Sequence, residues 1–168
     1  MTEQTVVIVG ASHAAVQAVD TLRREGHTGR IVLVGDEPYL PYNRPPLSKK
    51  FLSGELERER LLLRSPHFYE QHRVETRIGV RVTAIDRGAQ RLRLSDGGEL
   101  SYDQLLLSVG SRPRRLEMPG YDLAGIHYLR TIADVDAIRA DLPGAKQLVV
   151  VGAGYIGLEA AACARHLG

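Results

Sequence analysis

Hydrophobic positions fall along this chain in two rhythms, and the places where the rhythm changes outline its elements. Residues 5–10 are a near-continuous apolar run, Thr5-Val-Val-Ile-Val-Gly10, the pattern of a parallel strand covered on both faces. Residues 13–25 then repeat apolar positions at helical spacing (Ala14, Val16, Ala18, Val19, Leu22), with Gly26 as a natural stop. Ile31-Val-Leu-Val34 is a second short apolar run, closed by Gly35-Asp36-Glu37-Pro38. Strand, helix and strand in about thirty residues predict one βαβ unit with a right-handed crossover.

Residues 38–48 hold four of the eight prolines, which excludes regular helix and central strand. A short helix is predicted over 65–72, with Ser65 as N-cap and Pro66 in its first turn. From 74 to 107 the period becomes two. Val80, Val82 and Ile85, then Leu92 and Leu94, then Leu105-Leu-Leu107 read as strands, with Asp86-Arg-Gly88 and Asp96-Gly-Gly98 as turns. This predicts a small antiparallel layer laid on a parallel sheet. Residues 111–125, rich in Pro, Arg and Gly, read as a crossing to a second unit. That unit is predicted as strand 126–129, helix 132–142, strand 147–151 and helix 155–167.

Composition narrows the classes. A net charge of +2 over 168 residues argues against nucleic acid or an anionic membrane as partner. Nineteen of the 22 basic residues are arginine, so the adjacent Lys49-Lys50 pair stands out. The single cysteine, Cys163, allows no CxxC pair or cysteine metal site, and reads as a small buried helix residue. Six histidines lie without metal spacing, and no Ser-His-Asp set is evident. Neither a signal peptide nor a membrane span is indicated, so the chain is expected to be cytoplasmic.

Two glycine-marked turns carry the chemistry. Gly10, Ser12 and Ala15 follow the first strand; Gly152, Gly154 and Gly157 follow the run at 148–151. In a dinucleotide turn the glycines let backbone approach the pyrophosphate, and the helix N-terminus offers N–H groups and a positive dipole end. The second turn meets this pattern fully. The first has Ser in the middle position, where a side chain points toward the phosphate but a hydroxyl can donate. Taken alone it is also compatible with an ordinary strand–helix turn. Asp36, at the end of the second strand, is placed to accept ribose hydroxyls, and Glu37 could share that role; without the upstream turn both would read as solvated turn acids.

The most specific stretch is Leu40-Pro-Tyr-Asn-Arg44-Pro-Pro-Leu-Ser48-Lys49, whose prolines fix a rigid path holding Arg44 and Lys49. Together with Gly152-Ala-Gly-Tyr-Ile-Gly-Leu-Glu159, it resembles the FAD-dependent NAD(P)H:ferredoxin reductases that serve ring-hydroxylating dioxygenases and bacterial cytochromes P450. The resemblance runs from residue 5 to 168. It implies an α/β, Rossmann-like FAD/NAD(P)-binding fold, here truncated, with residues 1–112 as the first segment of an FAD-binding domain and 113–168 as an incomplete NAD(P)-binding domain. It implies that Gly10, Ser12 and Ala15 take the FAD pyrophosphate, Asp36 the adenosine ribose, and the Val82 backbone the adenine. Arg44 and Lys49 would lie along FAD, with Lys49 near the flavin's reactive edge. Glu159 would pair with Lys49 and meet the nicotinamide, and the second turn would bind NAD(P)H.

Tyr102-Asp-Gln-Leu-Leu-Leu-Ser108-Val-Gly110-Ser-Arg112 resembles the family's second FAD segment, reading Ser-Val-Gly where the family has Ala-Thr-Gly. Gly110 and Arg112 are retained, though Arg112 also reads as a surface arginine beside Arg114 and Arg115. Thiol-dependent members of the wider fold need a cysteine near the flavin, where this chain has Lys49. The implied activity is electron transfer from NAD(P)H through FAD to a ferredoxin-type iron–sulfur protein, impaired or absent in this chain alone. The alternative is a non-catalytic nucleotide-binding module whose open sheet edge pairs with a second copy or a companion chain.

Overall fold

Fully apolar strands need cover on both faces, and the first unit supplies it. The computed structural model describes residues 4–168, which divide into two units: 4–42 with Leu62–Gly110, and Asn43–Leu61 with Ser111–Gly168. In the first unit, β1 (Val6–Val9), β2 (Ile31–Gly35), β3 (Val74–Ile78) and β7 (Gln104–Leu107) make a parallel sheet of order β3-β2-β1-β7. A smaller antiparallel sheet is formed by β4 (Val82–Asp86), β5 (Arg91–Leu94) and β6 (Glu99–Ser101).

The period of two along β1 and β2 sorts their side chains into two cores. Val7, Val9, Val32 and Val34 face Leu92, Leu94, Leu100 and Tyr102 of the antiparallel layer and its exit. Val6, Ile8, Ile31 and Leu33 face the other way, against α1 (His13–Arg24) through Ala15 and Val19, and against Tyr69 of α2 (Pro66–Gln71). Burying a side chain of this size contributes roughly 1.5–3 kcal/mol, so these two clusters are the main source of cohesion in the unit. Tyr69 brings its hydroxyl into this core with no partner among the described residues, and burial pushes its pKa up to about 12 against the opposing charge of Arg64. Arg23, near the end of α1, donates to the carbonyls of His27 and Gly29 and to that of His72, tying the helix end to two loops.

The second unit is built differently. Segment 43–61 leaves and returns at one place, where Asn43 N–H donates to the Leu61 carbonyl. It contains a 3-10 turn, Pro45–Ser48, that lies against both α3 (Ile132–Asp141) and α4 (Tyr155–Leu167). Leu47, Phe51, Leu52, Leu61, Ile132 and Val135 are its buried apolar residues. Thr131 and Asp134 form a reciprocal capping box at the start of α3.

Six sequence expectations change. Residues 126–129 and 147–151 are not strands: among the described residues no neighbouring strand offers them hydrogen bonds, and an extended run without a ladder is not a strand. Residues 74–78, not singled out as a strand, pair with β2, and Leu105–Leu107 belong to the parallel sheet rather than the antiparallel layer. Val80 lies in the turn before β4, its N–H donating to the Gly35 carbonyl. Cys163 lies on a helix as expected, but is only half-buried.

Candidate functional site

In a parallel sheet every strand delivers its following loop to the same edge, and in the first unit that edge collects the chemistry-bearing residues. Gly10 leaves β1 at φ +110°, and a Cβ there would lie 2.4 Å from the Ser108 carbonyl oxygen, so only glycine fits between these two chain segments. Ser12 is the N-cap of α1, its hydroxyl oxygen accepting from the Ala15 N–H at 3.3 Å. That use leaves the hydroxyl proton free to donate. Ala15 is fully buried under the turn, and the first turn of α1 has no acidic residue, leaving the positive dipole end uncompensated.

Asp36 follows β2 beside this turn, because Gly10 N–H donates to the Val34 carbonyl. Its half-exposed carboxylate pairs with Arg81 at 3.4 Å. Glu37 accepts from the Tyr42 hydroxyl at 2.6 Å and its carbonyl accepts from Gly79 N–H. Val82 starts β4, packed on the core shared by the two sheets, with a bulge immediately after it that interrupts the ladder with Leu94. Gly110 follows β7 at φ +65°. The Ser108 hydroxyl donates to the Gly10 carbonyl at 2.8 Å, whereas the neighbouring Val109 is exposed.

The remaining predicted residues belong to the second unit. Arg44 donates to the Arg130 carbonyl at 2.7 Å. Lys49 Nζ donates to Glu159 Oε2 at 2.7 Å and to the Pro45 carbonyl at 3.2 Å. The Ser48 hydroxyl donates to the same Glu159 oxygen at 2.6 Å. These two donors hold the Glu159 carboxyl below the usual carboxylate range, hydrogen bonding from Lys49 first and Ser48 second, against a desolvation cost. Gly152 takes φ +110°, Gly154 is the extended N-cap of α4, and Gly157 tucks under the turn, where a Cβ would lie 2.3 Å from the Gly152 carbonyl oxygen. Arg112 is exposed.

Thus the structure gathers Gly10, Ser12, Ala15, Asp36, Glu37, Val82 and Gly110 at one sheet edge, and joins Lys49 to Glu159 across 110 residues of sequence. Ser48, Arg81 and Cys163 were not singled out as site residues. Ser48 and Arg81 each adjoin a residue that was, which is the only signal the sequence offered. Cys163 points its thiol at the Ser48 and Lys49 carbonyls, at 3.4 and 3.5 Å. Burial, Glu55 and Glu159 push its pKa up, against Lys49, so the thiol resists ionisation.

This chain matches the family described as pyridine nucleotide-disulphide oxidoreductase over residues 4–168. It belongs to that family. It is 45% identical to rhodocoxin reductase from Rhodococcus erythropolis over 164 residues, covering 98% of this chain and 38% of the relative. It is 44% identical to a ferredoxin–NAD(P)+ reductase from a Sphingomonas species, covering 99% of this chain and 40% of the relative. A crystal structure of a covalent putidaredoxin reductase–putidaredoxin complex superimposes with a TM-score of 0.89 at 43% identity, over 99% of this chain and 40% of that one. The chain therefore spans about two fifths of the length of these relatives. No helix among the described residues is long and apolar enough to cross a membrane.

Proposed function

We propose that this chain carries the first FAD-binding segment, residues 1–112, and the opening of the NAD(P)-binding domain, residues 113–168, of a reductase that moves electrons from NAD(P)H through FAD to a ferredoxin-type iron–sulfur protein. The observation that carries this reading is the Lys49–Glu159 pair, 2.7 Å between Nζ and Oε2, which joins the two most family-specific motifs. The names of the similar proteins, ferredoxin reductases and a reductase joined to putidaredoxin, support the acceptor class.

The donor set at the first sheet edge fits FAD's adenosine diphosphate half. A helix N-terminus without acids and a hydroxyl able to donate suit a pyrophosphate, and the Asp36 carboxylate suits ribose hydroxyls. When bound, FAD supplies acceptance of two electrons and their release one at a time. Gly10, Ser12 and Ala15 would bind the pyrophosphate, Asp36, with Glu37 beside it, would orient the ribose, and the Val82 backbone would border the adenine. Gly110 and Arg112 would line the second segment of the cradle, with Arg44 further along it. Lys49, paired with Glu159, would hold its ammonium toward the flavin's reactive edge, and Glu159 would also orient the nicotinamide. Gly152, Gly154 and Gly157 would bind the pyrophosphate of NAD(P)H.

The test is a titration of the purified chain with ADP, FAD and NADH, followed by amide NMR. ADP at millimolar concentration is expected to shift residues 10–15 and 36, and absence of any shift there sinks the FAD reading. FAD alone is expected to bind weakly, because the chain spans about two fifths of the length of its relatives; a stoichiometric yellow protein from purification would overturn that expectation.

A second reading has its own observation. Among the described residues β7 is paired on one side only, Leu107 and Val109 are exposed, and residues 148–151 are bare. An unpaired edge with exposed apolar side chains in the first unit, and a bare apolar run in the second, each favour a nucleotide-binding module that pairs with a second copy or a companion chain. Light scattering across a hundredfold concentration range separates the two: a constant monomer mass removes self-association.

A further inference from the structure

Two donors of different character converge on one oxygen of Glu159. Lys49 is half-exposed at the end of a flexible side chain, and an exposed ammonium–carboxylate pair exchanges readily with water. Ser48 is 5% exposed, and its hydroxyl reaches the same oxygen at 2.6 Å, in the range of a charge-assisted O–H···O⁻ bond. A serine has one proton to give. Its alternative acceptor, the Pro45 carbonyl, stands at 3.4 Å, so the short bond to Glu159 takes it.

Ser48 is itself held from the opposite helix. Glu159 and Cys163 are four residues apart on α4, hence on one face. Glu159 engages the side chains of Ser48 and Lys49, while the single Cys163 thiol proton is shared between their backbone carbonyls, at 3.4 and 3.5 Å. The prolines at 45 and 46 stiffen the approach. Among the described residues Glu159 Oε1 has no protein partner, since both donors use Oε2.

We propose that Ser48 is a positioning residue: it fixes the Glu159 carboxylate by Oε2, so that Oε1 stays available to accept from the carboxamide N–H of a nicotinamide and the ion pair with Lys49 stays intact. This rests on the reading above that Glu159 meets the nicotinamide. Ser48 acts through Glu159 and does no chemistry itself. The charged and titratable groups acting on this cluster are Lys49 from the turn, Cys163 from α4 and Glu55 from segment 43–61.

The experiment is carboxyl-carbon NMR of the 168-residue chain labelled at glutamate, with the Glu159 signal identified by its loss in Glu159→Gln. In the unaltered chain Glu159 is expected to titrate below the usual carboxylate range, held there by its bonds from Lys49 and Ser48. Ser48→Ala is expected to move its midpoint up, and Ser48→Thr, which keeps a hydroxyl, to bring it back down. Lys49→Met is expected to leave part of the depression in place, the part owed to Ser48. That arm needs no change at Ser48, so it decides the matter even where Ser48→Ala disturbs folding. A Glu159 midpoint untouched by Ser48→Ala, or fully returned to the ordinary range by Lys49→Met alone, overturns the proposal. Adding NADH separates the two claims: an NADH-dependent shift of Glu159 that weakens in Ser48→Ala supports both, whereas no shift at all removes the nicotinamide role while the midpoints still decide whether Ser48 holds the carboxylate.

Discussion

The turns at Gly10 and Gly152 are nearly the same object locally and very different in their surroundings. Both glycines sit at φ +110°, both are followed two residues later by an extended N-cap and three residues later by the helix, and both turns carry a small residue five positions after the glycine. Before the first turn, Val6–Val9 is buried between two layers, with Val7 and Ile8 fully inaccessible. Before the second, Leu148, Val149, Val150 and Val151 are 53, 82, 40 and 74% exposed and have no ladder partner among the described residues. The helix after the first turn buries Ala15, Val16 and Val19, while α4 has no buried residue. The difference teaches that a glycine turn is written into a dozen residues, whereas the strand that leads into it exists only when neighbouring strands accept its hydrogen bonds.

Amide exchange should expose the contrast most sharply. Residues 6–9 are expected to exchange at least a thousandfold more slowly than 148–151, because the former open only when the sheet does. Comparable rates in the two runs would break the comparison outright. Next in size are the turn glycines. Gly10→Ala combines an unfavourable φ with a Cβ 2.4 Å from the Ser108 carbonyl oxygen, and should cost about 3 kcal/mol or more in urea unfolding. At Gly152 a Cβ meets nothing within 4 Å, so Gly152→Ala should cost only about 1 kcal/mol, from backbone strain alone. Equal costs would mean that Ser108 does not constrain the first turn.

The N-caps sharpen the same pair. Ser12→Ala should cost about 1 kcal/mol through loss of its bond from Ala15 N–H, and Ser12→Gly only a few tenths. The converse change, Gly154→Ser, has an extended backbone and open space to accept it, and should stabilise α4 by a few tenths of a kcal/mol in thermal unfolding followed by circular dichroism. A loss there would show that the second turn is not a free helix start.

The smallest effect is the most local. Glu159 ionises more readily when held by Lys49 and Ser48, so its folded carboxyl lies below the ordinary value of 4.5. A depressed folded pKa contributes stability that is complete above the unfolded value and lost as pH falls through the folded one. The attachment of α4 to the 43–61 segment should therefore loosen only in acid, and Lys49→Met should flatten that acid dependence, read from the amide NMR shifts of α4 between pH 6 and 3.

What was legible in the sequence follows the same division. The helices at 13–25, 65–72, 132–142 and 155–167 were readable because capping, proline placement and 3.6-residue spacing act within a few turns, and each is present within a residue or two. Gly10, Ser12 and Ala15 were readable because their spacing is local, and Asp36 because β2 must end beside the turn that β1 enters. The link between Lys49 and Glu159 was reached only through likeness to a family, since no local rule connects residues 110 apart. Ser48 and Arg81 escaped because a serine or an arginine in a loop has no pattern of its own.

By itself, then, the sequence determined the turns, the helix limits, the rigid path at Pro45 and Pro46 and the alternation that sorts β1 and β2 into two faces, because each depends on sterics and burial preference over a short span. Tertiary structure decided which apolar runs became strands, that residues 74–78 and 104–107 joined the parallel sheet, and that two donors meet on one oxygen of Glu159. Backbone ladders and charge-assisted bonds need partners from distant parts of the chain, and only the folded arrangement says which of them arrive.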